Sequence, residues 1–190
     1  QKKKLKYNIK LKKINSDLKK DLNKNVLFIY DIQYEQKKPF QKISSKSNKY
    51  IFKCFEEALK FIKNKKIIGF VNCPISKESL FKNKHQGITE FLSKKAGKNG
   101  SESMLIYNKK LSVSPITTHI PLSEVHKKIN QYKIVKKVKV INNFYKKFFK
   151  KKPYFAILGL NPHNFSSVKK SEEKEIIVKA IKKLIKLKIK

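Results

Sequence analysis

Short apolar runs bounded by polar or turn-forming residues recur along the chain, and each predicts a buried strand. Five such runs are present, at Val26–Ile32, Lys66–Ser76, Ser103–Asn108, Lys110–His119 and Tyr154–Leu160. Lys109 alone separates the third run from the fourth, so these two are predicted to form a hairpin around Asn108–Lys110. The first two dozen residues are Lys-rich with scattered Leu and Ile and show no such run.

Between these runs, apolar residues recur every three or four positions, which is the spacing of one helix face. The pattern predicts helices at Tyr50–Lys65, Glu78–Phe81, Thr89–Lys95, Leu122–Phe149 and from Ser171 onward. The third helix should end before Gly97, and Ser171, followed by two glutamates, suits the start of the last one. Because strands and helices alternate, the sequence favours an α/β architecture with a largely parallel or mixed sheet.

Three predicted strands end in polar clusters, at Val71–Lys77, Ile116–Leu122 and Leu158–His163. The carboxyl ends of strands in an α/β sheet meet at one edge, where ligands bind, so His119 and His163 could meet there. Two neutral imidazoles suit a divalent metal, which needs a third protein ligand. Spacing alone leaves open a second interpretation, in which both histidines hydrogen bond to turn carbonyls. His85 and His126, in Lys-rich contexts, are predicted to face solvent.

The charge balance is extreme, with 48 basic against 13 acidic residues and a formal net charge of +35. Such a balance suggests nucleic acid or an anionic membrane as a partner. Every basic residue is Lys, however, and the lysines occur in all segments rather than in one stripe, so we expect solvated faces and no specific nucleic-acid site. The apolar runs are too short to span a bilayer. Cys54 and Cys73 are the two cysteines, which favours a reducing cytoplasm over a disulfide framework.

Four segments, NCPISKESL, GITEFL, SVSPITTHIPLSEVHKKI and ILGLNPHN followed by SEEKEII, resemble successive motifs of the 4-hydroxythreonine-4-phosphate dehydrogenase family. The resemblance runs from about Val26 to the end of the chain. It implies a three-layer α/β/α fold similar to the isocitrate and isopropylmalate dehydrogenases, and a homodimer with its active site in a cleft at the dimer interface. Residues 1–190 would be a partial dehydrogenase, since the opening and closing motifs of the family are missing.

The resemblance also implies the chemistry. Members of the family use NAD or NADP and a divalent metal such as Zn, Mg or Mn to oxidise 4-phosphooxy-L-threonine, which then loses carbon dioxide, in pyridoxal 5'-phosphate biosynthesis. A metal on the substrate oxygen lowers its pKa and so favours hydride departure. By residue match, His119 and His163 fall on two of the three metal-binding histidines. The third belongs to a later His-Asp-Gln-Gly motif that this chain does not contain, so these residues alone are expected to be inactive.

Two positions of the family's Gly-His-Thr-Glu motif contact substrate, and here the motif reads GITE, Gly87 to Glu90. Thr89 is the matched substrate contact, whereas Ile88 replaces a histidine and can make no side-chain hydrogen bond. Losing such a contact costs about 1 to 3 kcal/mol, enough to shift substrate preference. Lys77 also matches a position near the cleft. Its ammonium either binds a phosphate or carboxylate there or is simply solvated. The loop after His163 lacks the usual Gly and acidic residue.

Three alternatives to this function remain at the level of sequence. Ile88 suggests a related dehydrogenase for another phosphorylated hydroxy acid. The missing motifs suggest a degenerate, noncatalytic relative that keeps the fold. The net charge alone suggests a basic nucleic-acid-binding protein, which the absence of Arg and the matched motifs argue against.

Overall fold

Helices are the commonest regular elements among the described residues, and they accompany one small parallel sheet. The computed structural model describes residues 6, 8–16, 25–36, 38, 41–82, 87–98, 100–161 and 171–190. These fall into two units, Gln1–His85 and Gln86–Lys190. No helix among the described residues is long and apolar enough to cross a membrane.

The first unit pairs two short strands and follows them with two helices. Its elements are β1 (Lys10–Ile14), β2 (Val26–Tyr30), a 3₁₀ turn (Ser45–Ser47), α1 (Asn48–Lys63) and α2 (Lys77–Phe81). The strands are parallel, with the first residue of β1 opposite the first residue of β2. Ser76 begins α2 because its hydroxyl accepts a hydrogen bond from the amide of Ser79 at 3.3 Å.

Aromatic side chains supply most of the small core of this unit. Phe55 of α1 and Phe81 of α2 are both buried. The ring of Phe55 lies 6.0 Å from that of Phe70. The side-chain amide of Asn48 donates to the carbonyl oxygen of Ser79 at 2.7 Å, which ties the start of α1 to α2.

The second unit is helical, with one short hairpin. Its elements are α3 (Ile88–Lys95), α4 (Leu122–Lys128), α5 (Gln131–Phe144) with a π-helical turn (Tyr145–Phe149), and a second π-helical turn (Glu173–Val178) that continues into α6 (Lys179–Lys186). Between α3 and α4, Ile106 and Val113 form a single antiparallel bridge.

The core of the second unit lies where α5 packs against α6 and the turn before it. Its six buried members are Ile134, Val135, Val138, Ile177, Ala180 and Leu184. Ile134 is only 1% exposed and Ala180 is completely buried. Half-buried apolar residues cover this cluster, among them Phe155 and Ile157. The helix pair therefore forms the rigid support for the segments that precede it.

The structure confirms the predicted helices with one correction. The helix predicted over Leu122–Phe149 is interrupted, because Ile129 has an extended backbone and Asn130 begins a new helix. The side-chain oxygen of Asn130 accepts from the amide of Lys133 at 2.9 Å, which satisfies a donor that the end of a helix leaves free. The predicted single helix is thus α4, α5 and the π-helical turn.

The strand predictions were less successful, although the α/β class itself is confirmed. The run at Val26 is β2, and the predicted hairpin is present as the single bridge. The run at Tyr154–Leu160 is not a strand of the described structure: Phe155 and Ile157 face the core while Tyr154 and Leu158 are more than 80% exposed. The run at Lys66–Ser76 likewise forms no strand among the described residues and is mostly exposed. β1, in the Lys-rich opening residues, was missed.

Candidate functional site

A cavity of about 300 Å³ lies within the second unit. Three parts of the chain surround it: the start of α3, the segment Ile116–Ile120 that precedes α4, and one side of α5. Residues around Gly100 close a further side. A cavity of this volume accommodates a small metabolite, at the lower end of the range of ligand pockets.

The segment Ile116–Ile120 is held in place from both sides. Upstream, the bridge between Ile106 and Val113 and a hydrogen bond from the Ser114 hydroxyl to the Met104 carbonyl oxygen, 2.6 Å long, fix the hairpin. From α5, the ammonium of Lys137 donates to the Pro115 carbonyl oxygen at 3.0 Å. The hydroxyls of Thr117 and Thr118 and the imidazole of His119 are therefore presented from an anchored loop.

His119 lies on the cavity wall in an unusual backbone conformation. Its φ is +56°, in the left-handed region, where His occurs more often than most other residues but remains uncommon. The residue as a whole is exposed. Such outliers persist where surrounding structure fixes them, and they concentrate at functional sites.

Thr89 and Glu90, in the first turn of α3, line the same cavity. Thr89 is exposed, so its hydroxyl is accessible from the cavity, and Ile88 is half-buried at the first residue of the helix. The structure thus brings Thr89 and His119 to one cavity, although 30 positions separate them in the sequence. Their roles stay predictions.

Lysines of α5 form one side of the cavity. We call Lys133, Lys136 and Lys137 the lysine wall. Lys133 donates to the carbonyl oxygen of Lys128 at 2.8 Å, and Lys136 donates to that of Gly100 at 2.6 Å. These contacts hold the ammonium groups at the cavity.

Glu102 and Lys137 are lining residues of the cavity whose pKa values are shifted. Burial raises the pKa of Glu102, but hydrogen bonds from the Ser93 hydroxyl, 2.7 Å away, and from backbone amides outweigh this effect and leave the pKa lowered. Burial lowers the pKa of Lys137, and the nearby Glu102 carboxylate opposes that change. Glu102 is therefore held in its charged form, and its charge acts on the half-buried Lys137.

The other predicted site residues are not brought to this cavity by the described structure. His163 and His85 lie outside the described residues. Lys77 is the exposed first residue of α2 in the first unit. His126 is exposed on α4, as predicted. Among the described residues, no group of three His, Cys, Asp or Glu side chains is arranged to hold a metal ion.

A buried carboxylate anchors the backbone at the end of the Leu158–Asn161 segment. Oε1 of Glu173 accepts from the amides of Leu160 and Asn161, both at 3.1 Å. The amide of Asn161, together with those of Glu173 itself and Leu160, lowers the pKa of this carboxyl. Glu173 therefore joins the start of the last helix to the residues just before the predicted ligand His163.

Replacing Glu173 with glutamine is expected to lower the melting temperature at pH 7, because the charged acceptor of two amides is lost. A carboxyl whose pKa is lowered by folding stabilises the protein above its unfolded pKa, about 4.3. That stabilisation is lost as the pH falls through the lower folded pKa. The difference between wild type and variant should thus shrink between pH 7 and pH 3 in thermal melts.

The matched control is Glu175→Gln, which removes an exposed carboxylate two residues away that pairs with Lys179. We expect little change from it, since exposed ion pairs contribute little. An equal loss of melting temperature for Glu173→Gln at both pH values would contradict the proposed role of its charge.

The lysine wall and Glu102 are the cavity residues that sequence reasoning missed. Lys133, Lys136 and Lys137 have the spacing of one helix face, which is visible in the sequence. With 48 basic residues in the chain, however, that spacing is not distinctive.

Comparison with known proteins places these features in context. The family model described as "Pyridoxal phosphate biosynthetic protein PdxA" matches residues 1–190. The chain is 36% identical over 182 residues to the 4-hydroxythreonine-4-phosphate dehydrogenase of Sulfurihydrogenibium sp. (strain YO3AOP1), covering 93% of this chain and 54% of that protein. It is 37% identical over 115 residues to the protein of the same name from Aquifex aeolicus (strain VF5), covering 58% and 36%.

A solved structure agrees in fold. The crystal structure of 4-hydroxythreonine-4-phosphate dehydrogenase from Klebsiella pneumoniae superposes with a TM-score of 0.81 at 20% identity, over 95% of this chain and 57% of that one. The chain therefore spans 54% of the Sulfurihydrogenibium protein and 57% of the Klebsiella chain, little more than half the length of each.

Proposed function

Because the chain belongs to the pyridoxal phosphate biosynthetic protein PdxA family, we propose that the complete gene product oxidises 4-phosphooxy-L-threonine, with decarboxylation, in pyridoxal 5'-phosphate biosynthesis. The observation that carries the proposal is the cavity of the second unit. Thr89 and His119, which match a substrate contact and a metal ligand by motif, both line it.

Each side of the cavity suits one part of such a substrate. The hydroxyl of Thr89 can donate and accept hydrogen bonds, as a polar substrate group requires. The ammonium groups of α5 balance the negative charge of a phosphate or carboxylate. Ile88, next to Thr89, is not among the residues that line the cavity, and its side chain can make no hydrogen bond. These residues bind and orient a small anion, beside the half-buried Glu102 and Lys137.

The proposal includes the finer features implied by the family motifs. These are a three-layer α/β/α fold like that of isocitrate and isopropylmalate dehydrogenases, a homodimer, a cytoplasmic location, and NAD or NADP as hydride acceptor. The small parallel sheet and surrounding helices support the α/β part of this description. Residues 1–190 correspond to part of such a dehydrogenase, and Lys77 is proposed as a further substrate contact.

A divalent metal, Zn, Mg or Mn, is proposed to bind His119 and His163. The imidazole of His119 is a suitable donor, and its exposure leaves it accessible. A metal site of this kind takes at least three protein ligands, and the described residues supply His119 without two further ligands beside it. The described part of the chain thus does not form a metal site by itself.

The proposed activity is tested by following NADH or NADPH formation from 4-phosphooxy-L-threonine by the complete gene product with added Mg²⁺, Mn²⁺ or Zn²⁺. We expect turnover that chelation abolishes and that added metal restores. Absence of turnover under all these conditions, from a folded protein, would contradict the proposal.

A second candidate function is favoured by Ile88, namely oxidation of another phosphorylated hydroxy acid. We expect Ile88→His to raise kcat/KM for 4-phosphooxy-L-threonine relative to other such acids by about 10-fold, since one added hydrogen bond is worth about 1 to 3 kcal/mol. Specificity constants for several substrates measure this ratio. Ile88→Leu is the control, which keeps the apolar surface. An unchanged ratio in Ile88→His would remove residue 88 as a determinant of specificity.

A further inference from the structure

We propose that the lysine wall of α5, Lys133, Lys136 and Lys137, binds the phosphate group of the ligand that occupies the cavity. The inference rests on the proposed function for the identity of that ligand, and it adds residues that the sequence motifs do not indicate. The group that binds is a phosphate dianion, which both a phosphate monoester and free phosphate supply.

The first argument is geometric. Residues at positions i, i+3 and i+4 of a helix lie on one face, so the three lysines project from α5 in the same general direction. All three line the cavity, together with Lys128. Lys139 follows them on α5. It is exposed and does not line the cavity.

The second argument concerns hydrogen bonds. Lys133, Lys136 and Lys137 each donate to one backbone carbonyl oxygen, of Lys128, Gly100 and Pro115 respectively. An ammonium has three donors, so each retains capacity for a phosphate oxygen. The carbonyl contacts reduce the freedom of the long side chains before a ligand arrives, which lowers the entropic cost of binding.

The third argument is the balance of charge. Four lysines line the cavity, whereas Glu90 and Glu102 are its two carboxylates, leaving a formal excess of two positive charges. Glu102 is already engaged by the Ser93 hydroxyl. Thr117 and Thr118 also line the cavity and add neutral hydroxyl donors. This set matches a dianion with several acceptor oxygens.

Burial distinguishes Lys136 and Lys137, but not the exposed Lys133, from the many solvated lysines. Lys136 and Lys137 are half-buried, while most lysines among the described residues are exposed. A charge pair is stronger where water is partly excluded, so phosphate should bind here more tightly than at an ordinary surface lysine. The lowered pKa of Lys137, caused by burial, agrees with such a setting.

The test uses inorganic phosphate as the probe, titrated calorimetrically into the complete gene product at about 0.15 M salt, where exposed charges are largely screened. Lys136→Met and Lys137→Met each remove one ammonium from the lysine wall. Lys139→Met removes one from the same helix outside the cavity and gives an identical change in net charge. Lys136→Arg keeps the charge. Thermal melts of every variant confirm that it is folded.

We expect Lys136→Met and Lys137→Met to weaken phosphate binding at least tenfold, with less than twofold change for Lys139→Met and a recovery of affinity in Lys136→Arg. Equal weakening in Lys136→Met and Lys139→Met would overturn the proposal in favour of nonspecific polycation binding. Absence of phosphate binding to the wild-type protein at about 10 mM phosphate, ten times a millimolar Kd, would overturn it as well.

The two proposals fail in distinguishable ways. If the complete gene product oxidises 4-phosphooxy-L-threonine but KM is the same in wild type and Lys136→Met, the lysine wall is not the phosphate site and the dehydrogenase function stands. If phosphate binding depends on the lysine wall while no phosphorylated hydroxy acid is oxidised, the site stands and the proposed reaction does not. Comparing 4-phosphooxy-L-threonine with 4-hydroxy-L-threonine separates the phosphate's contribution from that of the remaining substrate.

Discussion

Replacing Ile134 with alanine is expected to lower the free energy of unfolding of the second unit by about 2 to 5 kcal/mol, the range for deleting a large buried aliphatic side chain. Ile134 is 1% exposed and lies at the centre of the α5–α6 cluster. Its partners in this cluster include Ala180, which is completely buried. The single methyl group of Ala180 cannot reach into a cavity left by the substitution. The helix pair can therefore relax only partially around the missing atoms.

Urea unfolding monitored by circular dichroism measures this effect as a lower midpoint with an unchanged slope. Ile185→Ala is the matched control, because Ile185 is on α6 but is 64% exposed. We expect it to change stability by no more than about 0.5 kcal/mol. Equal destabilisation by the two substitutions would show that the cluster is not the core of the unit.

Helices were easier to predict than strands because the two depend on different information. A helix satisfies its hydrogen bonds locally, so the periodicity of α1 and α3 was sufficient to find them. A strand needs a neighbour, and the run at Tyr154–Leu160 has the expected alternation of exposed and half-buried residues without a paired strand in the described structure. The break before α5 was readable from Asn130, a residue that often begins helices, but apolar spacing on both sides concealed it.

The candidate site was predictable only where a motif marked it. Thr89 and His119 were selected because they match family segments, and they do line one cavity. The left-handed backbone of His119 is not indicated by any local pattern in the sequence. Lys136 and Lys137 were not distinguishable among so many lysines, since their burial depends on how α5 faces the segment before α4.

Replacing His119 with asparagine is expected to reduce kcat/KM of the complete gene product by more than about 100-fold. Loss of a residue that only hydrogen bonds to a metal ligand costs roughly 10- to 100-fold, and this substitution would remove a proposed ligand itself. Asparagine accepts the left-handed backbone at this position, so the loop should keep its shape. Steady-state assays at increasing metal concentration measure the effect and should show a higher metal requirement.

His126→Asn provides the matched control for this prediction. His126 is exposed on α4 and does not line the cavity. We expect activity and metal requirement to stay within about twofold of wild type, as is usual for surface substitutions away from a site. A His119→Asn protein with wild-type metal requirement would remove His119 from the set of ligands.

The most direct measurement is an anomalous difference map from crystals of the complete gene product grown with Zn²⁺ and 4-phosphooxy-L-threonine. The account predicts a zinc peak about 2.0 to 2.1 Å from an imidazole nitrogen of His119, with the substrate in the cavity beside Thr89. A bound zinc ion and substrate at another place, with His119 free of both, would contradict it.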